Sequence, residues 1–453
     1  MAGQNHPGHG NATLARPTPV TDARLVAAAV CADLRRGELL DTTFDRRTAL
    51  LDARDRRWTR ELVYGMLRMR GRLDALLAER VRGGLGRLDP ELLDLLRLGA
   101  YQLLEMGSVP AYAAIAQTVE LAKTRAGAGA GKLANAVLRR LDRERDTLAL
   151  PAVADPVEAL AAEYSHPTWL VARWLERWGE DETRRLLASN NTEPPIVARP
   201  VHVVREQLEA SLESAGVHVA DAPLVPDSVV LTPPVPALTE LGAFRRGLFH
   251  IQDPAATLVT RYAAIAPGAA VADCCAAPGG KAIELARTAG AVFASDASPH
   301  RLQRLRENVR RLELENIFAY AADASRPAIR PVDAVLLDAP CTGTGTMRRH
   351  PDARWRLKPS DVAVMTALQS RLLSSAATLV KPGGLLVYST CSLESEENDA
   401  PVDRFLETHP GWRLEAPPAG AVPETVLDGG RLRVLPQRHG VDGAFAARLR
   451  RVA

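Results

Sequence analysis

The sequence predicts a multidomain chain: an all-α N-terminal domain, a small α+β segment, and an α/β Rossmann-like domain built on a doubly wound, mostly parallel sheet. Three observations predict it. Apolar residues recur at helical spacing from residue 21 to 147. Strand and helix patterns alternate from residue 246. A Pro-Gly-Gly turn then joins the first strand of that alternation to a helix.

Length and composition bound the answer. The chain has 453 residues, enough for two or three domains, and its 46% hydrophobic and 25% charged content is ordinary for a globular protein. Its most extended apolar stretches, such as 262–272, are far short of a bilayer span, so no membrane association is expected. The N-terminus lacks the basic-then-apolar layout of a secretory signal, which predicts a cytoplasmic location. Five cysteines in so long a chain exclude a disulfide framework, and no CxxC pair is present, so no metal site is expected.

Taken in order, residues 1–20 are rich in Gly, His, Asn, Pro and Thr and predict a disordered tail. Residues 21–147 read as helices: Leu25, Ala28, Ala29 and Ala32 share one face, as do Leu62, Val63, Met66 and Leu67. Asp89-Pro90-Glu91 is an N-cap with proline in the first turn. The stretch 126–131 is expected to be a flexible loop, with another helix starting at Leu133. A Leu/Pro/Ala-rich linker over 148–158 leads to a small α+β subdomain over 155–245. It holds helical periodicity to Ala188 with Trp169, Trp174 and Trp178 as core, strands at 196–204 and 228–231, and a helix at 206–215. The third domain, 246–453, reads as strands at 270–274, 291–295, 317–321, 333–337 and 385–389, with helices at 281–288, 299–312 and 360–380. Ligands of such a sheet belong beyond the C-terminal ends of its strands.

The net charge of +3 says little alone, but its distribution says more. Lys123, Lys132, Lys281, Lys358 and Lys381 are the only lysines; every other basic side chain is arginine, which binds phosphates in a fork and stacks on bases. Residues 21–150 hold 23 basic and 18 acidic residues, about +5 net, with arginines bunched from Arg54 to Arg72 and from Arg139 to Arg145. A solvated face and a phosphate-binding surface are both open readings; Arg56, Arg57 and Arg60 are the candidates for the second.

The strongest local signal is Val271-Ala-Asp273-Cys-Cys275-Ala276-Ala277-Pro278-Gly279-Gly280-Lys281. It has neither the P-loop nor the GxGxxG spacing. Asp296 closes the second strand fifteen residues after Lys281, Asp323 closes the third and Asp338 the fourth. Four acidic strand ends would repel a pyrophosphate. They suit a ligand with hydroxyl and amino donors, and S-adenosylmethionine fits. Cys341, in the Gly-rich loop Asp338-Ala-Pro-Cys341-Thr-Gly343, and Cys391, in Ser389-Thr390-Cys391-Ser392, follow strands of the same sheet and project to that edge.

Cys275–Lys281, Asp338-Ala-Pro-Cys341, Arg349-His-Pro-Asp352 and Thr390-Cys391-Ser392 together resemble the Nol/Nop/Sun family of RNA cytosine-5 methyltransferases. The helical N-terminal domain resembles NusB, an RNA-binding fold. Phe244-Arg-Arg-Gly247, Gln252-Asp253 and Asp442-Gly443 also match, so the resemblance spans residues 25–450. It implies a class I S-adenosylmethionine-dependent methyltransferase domain that methylates carbon 5 of a cytosine in RNA. Ribosomal RNA of the small subunit is favoured, transfer RNA is the alternative, and a monomer is expected. It further implies that Cys275 to Lys281, Asp296, Asp323 and Asp338 contact the cofactor. By the same resemblance Cys391 is the nucleophile and Cys341 assists product release. Two thiols suit this chemistry, because thiolate addition to carbon 6 makes carbon 5 nucleophilic and the adduct must then be undone. Lys281 is placed to supply a cation, and Asp338 to bind the cytosine edge or the cofactor amine. Arg348, Arg349 and His350 are expected to meet phosphates near the target. The chain departs from the family at Ala282, Cys274 and Ser298, and in Arg199-Pro200-Val201. Cys274 and Cys31 read as packing residues. A non-enzymatic RNA-binding assembly factor is the competing class, and the intact cofactor register argues against it.

Overall fold

The computed structural model describes residues 20–452; the predicted tail lies outside the described residues but for Val20. The chain forms two compact units, one ending at Ala152 and the other beginning at Val153.

The first unit is helical: α1 (Asp22–Arg35), α2 (Leu40–Thr48), α3 (Ala53–Ala78), α4 (Pro90–Leu104) and α5 (Ala111–Arg143). Its helices start where the sequence offers an acceptor. The Asp52 carboxylate takes the Asp55 N–H at 2.8 Å, and Asp89 takes the Glu91 N–H at 2.8 Å ahead of Pro90. Leu62, Leu77, Leu96, Ala100 and Leu138 are buried in one core. Residues 126–131 are not the expected loop. The helix continues through them and breaks at Gly127 alone, whose φ of +89° only glycine adopts without strain. α2 has no clear apolar periodicity and escaped the sequence reading. It is held instead by the fully buried Asp33, which accepts from Arg47 at 2.7 and 2.8 Å, Arg46 at 2.8 Å and Thr43 at 2.5 Å. The Arg47 hydrogen bonds, outweighing burial, hold that carboxyl well below its ordinary range.

The second unit starts with α6 (Pro156–Glu163) and α7 (Thr168–Asn190), then a small antiparallel sheet with α8 (Arg205–Glu213) against it. Its strands are β1 (Ile196–Pro200), β2 (Val219–Asp221), β3 (Val229–Leu231) and β4 (Phe249–Ile251), in the order β2-β3-β1-β4. The fourth strand lies past the expected boundary at 245, because Phe249 pairs with Pro200 and completes the sheet.

The main sheet holds β5 (Ala270–Asp273), β6 (Ala291–Asp296), β7 (Ile317–Ala321), β8 (Val332–Asp338) and β9 (Val380–Thr390) as parallel strands in the order β7-β6-β5-β8-β9. Beyond β9 come antiparallel strands the sequence reading did not assign: β10 (Trp412–Leu414), β11 (Leu427–Asp428), β12 (Arg431–Val434) and β13 (Ala444–Arg451). Three of these have two to four residues, too short for a period-2 pattern to stand out. The helices α9 (Gly242–Arg245), α10 (Pro254–Ala263), α11 (Gly280–Leu285), α12 (Pro299–Arg311), α13 (Ala353–Arg356), α14 (Pro359–Ala377), α15 (Asp399–Thr408) and α16 (Pro436–His439) complete the unit. Leu258, Tyr262, Leu302 and Leu305 fill one face of the sheet, and Leu372, Leu373, Val402 and Phe405 the other. The order of strands turns back between β5 and β8. A crevice therefore opens at their C-terminal ends, where a doubly wound sheet binds its ligand.

Arg199 on β1 is buried and forks onto Glu284 of α11 at 2.9 and 2.7 Å, tying the small sheet to the helix that follows the Pro-Gly-Gly turn. On β13, Arg448 and Arg450 both donate to Glu415, at 2.7 and 2.6 Å. The Arg450 hydrogen bond first, and Arg448 with it, lowers the Glu415 carboxyl to about 2. A depressed pKa stabilises the fold above the unfolded value, and that stability is lost as pH falls through the folded one. Glu415→Gln is accordingly expected to cost about 1–2 kcal/mol at pH 7, allowing for partial exposure. In urea titrations repeated at lower pH, the difference from the unsubstituted chain should shrink between 4.5 and about 2. A difference that stays constant over that range would remove Glu415 as its source. Among the described residues, no helix is long and apolar enough to cross a membrane.

Candidate active site

Each strand end in the crevice delivers one chemical group. Asp273 ends β5, Asp296 ends β6, Asp338 ends β8, and Asp323 lies two residues past β7. The loop after β5 hangs from both neighbouring strands: the Cys274 N–H donates to Leu336 O at 3.0 Å and the Ala276 N–H to Ser295 O at 2.8 Å. Gly279 then turns at φ +111°, a left-handed conformation, and α11 begins. A side chain at Gly280 would reach within 3.2 Å of the Gln252 amide nitrogen, so the turn presents bare backbone.

The carboxylates are not equivalent. Asp273 is fully buried, and neither of its oxygens completes a hydrogen bond with a described residue. Burial, then the Asp338 charge, pushes its carboxyl up to about 7, against the pull of Lys281. Asp296 is also buried; one oxygen accepts from Ser298 N–H and Arg301, each at 2.8 Å, and the other lacks a protein donor. Asp323 is exposed, with its carboxyl lowered by the Ser325 N–H. Buried acceptors without donors are costly unless a ligand supplies them. The orphaned oxygens of Asp273 and Asp296 call for a ligand with hydroxyl or amine donors. The amide nitrogen of Gln252, buried and without an acceptor, adds one donor at the same turn. This set fits S-adenosylmethionine, whose ribose, adenine amine and α-amino group donate and whose carboxylate accepts.

The two thiols meet. The Sγ atoms of Cys341 and Cys391 lie 3.3 Å apart, brought together from loops after the neighbouring strands β8 and β9. Either sulfur can donate to the other in this contact. That contact lowers the Cys391 pKa, helped by Lys281 and His350 against burial and Asp338. The same contact, then burial, raises Cys341 well above the usual thiol range. The two thiols are thus pushed apart, Cys391 toward the thiolate and Cys341 toward the thiol. Lys281 Nζ donates to Asp338 Oδ2 at 2.6 Å, and Ser389 Oγ to Asp338 Oδ1 at 2.8 Å. Burial alone would lower the Lys281 ammonium, but the Asp338 charge and hydrogen bond raise it, so it stays cationic. Cys31 and Cys274 are buried and Cys275 half-buried, and burial pushes all three thiols up, Cys274 to about 12. They are not reactive groups.

Two expected phosphate ligands are engaged elsewhere. Arg348 is buried, and its guanidinium binds Asp442 at 2.6 Å, Asp253 at 3.0 Å and Gly440 O at 3.1 Å. Arg349 pairs with the same two carboxylates. Both arginines thus fasten the Cys341 loop, through the N-cap of α10 and the turn before β13, and Arg348 is buried within that clamp. His350 is exposed. On α3, Arg56 and Arg60 are exposed, the first 2.8 Å from Asp45 and the second over the Tyr64 ring; Arg57 is exposed as well. Arg70, from the same bunch, lies near Asp74 and is partly buried.

Sequence reading missed the frame around the thiols. Fully buried Glu397 accepts from Thr342 N–H at 2.9 Å. Asn398 bridges Thr390 at 2.5 Å and Ser392 O at 2.9 Å. The Gly345 N–H donates to Cys391 O at 2.9 Å, and a Cβ on Gly345 would come within 2.7 Å of that oxygen and of Gly443. The Glu-Asn pair six and seven residues after Cys391 was the available signal. Behind this frame stands α7, whose buried Trp174 donates to Glu394 at 3.1 Å and packs with Met347 and Leu393.

Comparison with known proteins agrees with this architecture. Residues 263–450 match the family model of 16S rRNA methyltransferase RsmB/F, 21–143 the NusB family, and 166–237 the ferredoxin-like domain of RsmF/B-like methyltransferases. A probable ribosomal RNA small subunit methyltransferase B from Synechocystis is 35% identical over 95% of this chain and 99% of its own length. Ribosomal RNA small subunit methyltransferase B from Pseudomonas syringae is 35% identical over 95% and 97%. The crystal structure of PH0851 superposes with a TM-score of 0.78 at 28% identity, covering 96% of this chain and all of that one.

Proposed function

The chain belongs to the RsmB/F methyltransferase family, an RNA methyltransferase family that uses S-adenosylmethionine, and from that premise we propose that it methylates carbon 5 of a cytosine in small-subunit ribosomal RNA. The observation that carries the carbon-5 reading is the sulfur pair: Cys391 and Cys341, with their Sγ atoms 3.3 Å apart. Carbon 5 of cytosine is a weak nucleophile. Addition of Cys391 Sγ to carbon 6 pushes electron density to carbon 5, forming a C–S bond and an enamine. S-adenosylmethionine supplies the electrophilic methyl group that carbon 5 takes up. Solvent then takes the carbon-5 proton, which restores the double bond and expels the Cys391 thiolate, and in this reading Cys341 assists that release. Asp338, held by Lys281 and Ser389, orients the base or the donor's amine in this reading. The Cys275–Lys281 turn, Asp296, Asp323 and Asp338 line the donor site in this reading. The target base must leave its stack to reach Cys391, which favours an irregular or single-stranded stretch of RNA. Arg56, Arg57, Arg60 and His350 are proposed as RNA contacts, and a cytoplasmic location follows from the substrate.

Bisulfite sequencing of ribosomal and transfer RNA from a strain lacking the gene tests the substrate. The expected result is loss of one 5-methylcytosine from small-subunit ribosomal RNA. Loss from transfer RNA would replace the ribosomal substrate, and no loss in either would refute the reading.

A further inference from the structure

The environment of Glu397 is unusual for a buried acid. It is fully buried, and no ion pair with a described residue neutralises it. Instead three donors converge on its two oxygens. Thr342 N–H approaches Oε2 at 2.9 Å, Thr342 O–H approaches Oε1 at 2.5 Å, and the Gln369 amide approaches Oε2 at 3.1 Å. The same Gln369 amide donates to Pro340 O at 2.9 Å. Both chain neighbours of Cys341 are therefore held by the Glu397–Gln369 pair. A glutamine at 397 would turn an N–H group toward one of these donors. An acceptor-only group suits the pocket, at the cost of a charge without a cation beside it.

We propose that Glu397 is the positioning residue that decides which of the two cysteines keeps the proton, holding it on Cys341 so that Cys391 carries the negative charge. The groups facing the pair divide accordingly. Cys391 faces Asp338 and Lys281, which pair with each other, and His350. Cys341 faces Cys391 and Glu397, with Tyr388 behind it. Glu394, near Glu397, is paired with Arg173. The Asp338–Lys281 pair balances itself, so the carboxylate on the Cys341 side separates two thiols that bare proximity would leave equivalent. The Cys341 pKa is raised by Cys391 and burial first and by Glu397 in addition. Burial raises Glu397 itself, so the ordering weakens where acid neutralises that carboxylate.

The inference rests on Cys391 as nucleophile, and its test separates the two ideas. The full chain is alkylated with iodoacetamide across a pH series, and each cysteine is followed by peptide mass spectrometry. In the unsubstituted chain Cys391 should react first, by about tenfold or more, the equivalent of one pKa unit. Faster reaction of Cys341 would overturn the proposal, and an inert Cys391 would overturn the nucleophile assignment itself. In Glu397→Gln the Cys391-to-Cys341 rate ratio should fall about tenfold, and Glu397→Asp should restore it. An unchanged ratio in folded Glu397→Gln refutes the proposal and leaves the nucleophile standing. If Glu397→Gln does not fold, Thr342→Val replaces it. That variant removes one hydroxyl but keeps the charge, so the order should persist, and loss of the order would show that packing sets it.

Discussion

Cys391→Ala is expected to lower methyl transfer by about 10⁴-fold or more, and to abolish any RNA adduct that survives denaturation. The variant should still fold and bind S-adenosylmethionine, because the half-buried Cys391 Sγ contacts Cys341 but holds no loop in place; the loop contacts pass through Thr390, Ser392 and the Cys391 carbonyl. Cys341→Ala should differ in kind. The nucleophile remains, so the adduct forms, but release slows and a covalent protein–RNA band accumulates on a denaturing gel. The two variants together give the test its force. Residual turnover of a tenth or more in Cys391→Ala would exclude the covalent route, and exchanged phenotypes would reverse the two roles.

Arg348→Ala is expected to be the costliest single change to stability in the second unit. Its guanidinium compensates the buried carboxylates of Asp253 and Asp442, and Asp442 is already pushed up by burial and by Asp253. Removing the cation leaves Arg349 to serve both acids, and breaking a buried pair of this kind costs about 3 kcal/mol or more. Urea denaturation should show that loss. Arg348→Met with Asp442→Asn should recover part of it, since the second change removes the uncompensated charge. A change below about 0.5 kcal/mol for Arg348→Ala would mean that the clamp contributes nothing measurable.

The parts of this molecule that were legible in its sequence share a physical cause. Asp273, Asp296 and Asp338 could be placed because each closes an apolar run, and a strand that ends in a turn puts its last side chain at the sheet edge. Cys341 and Cys391 were placed by the same logic, and the structure brings their sulfurs into contact. Arg348 was misread because its partners stand 95 and 94 residues away, and nothing local distinguishes an arginine turned inward from one turned to solvent. Glu397 was overlooked for a related reason. Its burial depends on Gln369 and Thr342 converging from two other segments. The break at Gly127 was misread as a loop because the sequence Ala-Gly-Ala-Gly carries no sign of where one turn replaces several. Periodicity finds elements; it does not find what distant elements do to one another.

The clamp also orders events during synthesis. Asp442 and Gly443 hold the Cys341 loop, the first through Arg348 and the second by donating to Gly345 O at 2.8 Å, yet they follow Cys391 by 51 and 52 residues. A growing chain that has already produced both thiols still lacks half of the arginine clamp and the strand that pairs with β9. The two sulfur-bearing loops are therefore not fastened together until the antiparallel strands beyond them have been made. A fragment cut between residues 391 and 442 would carry every cysteine without that fastening.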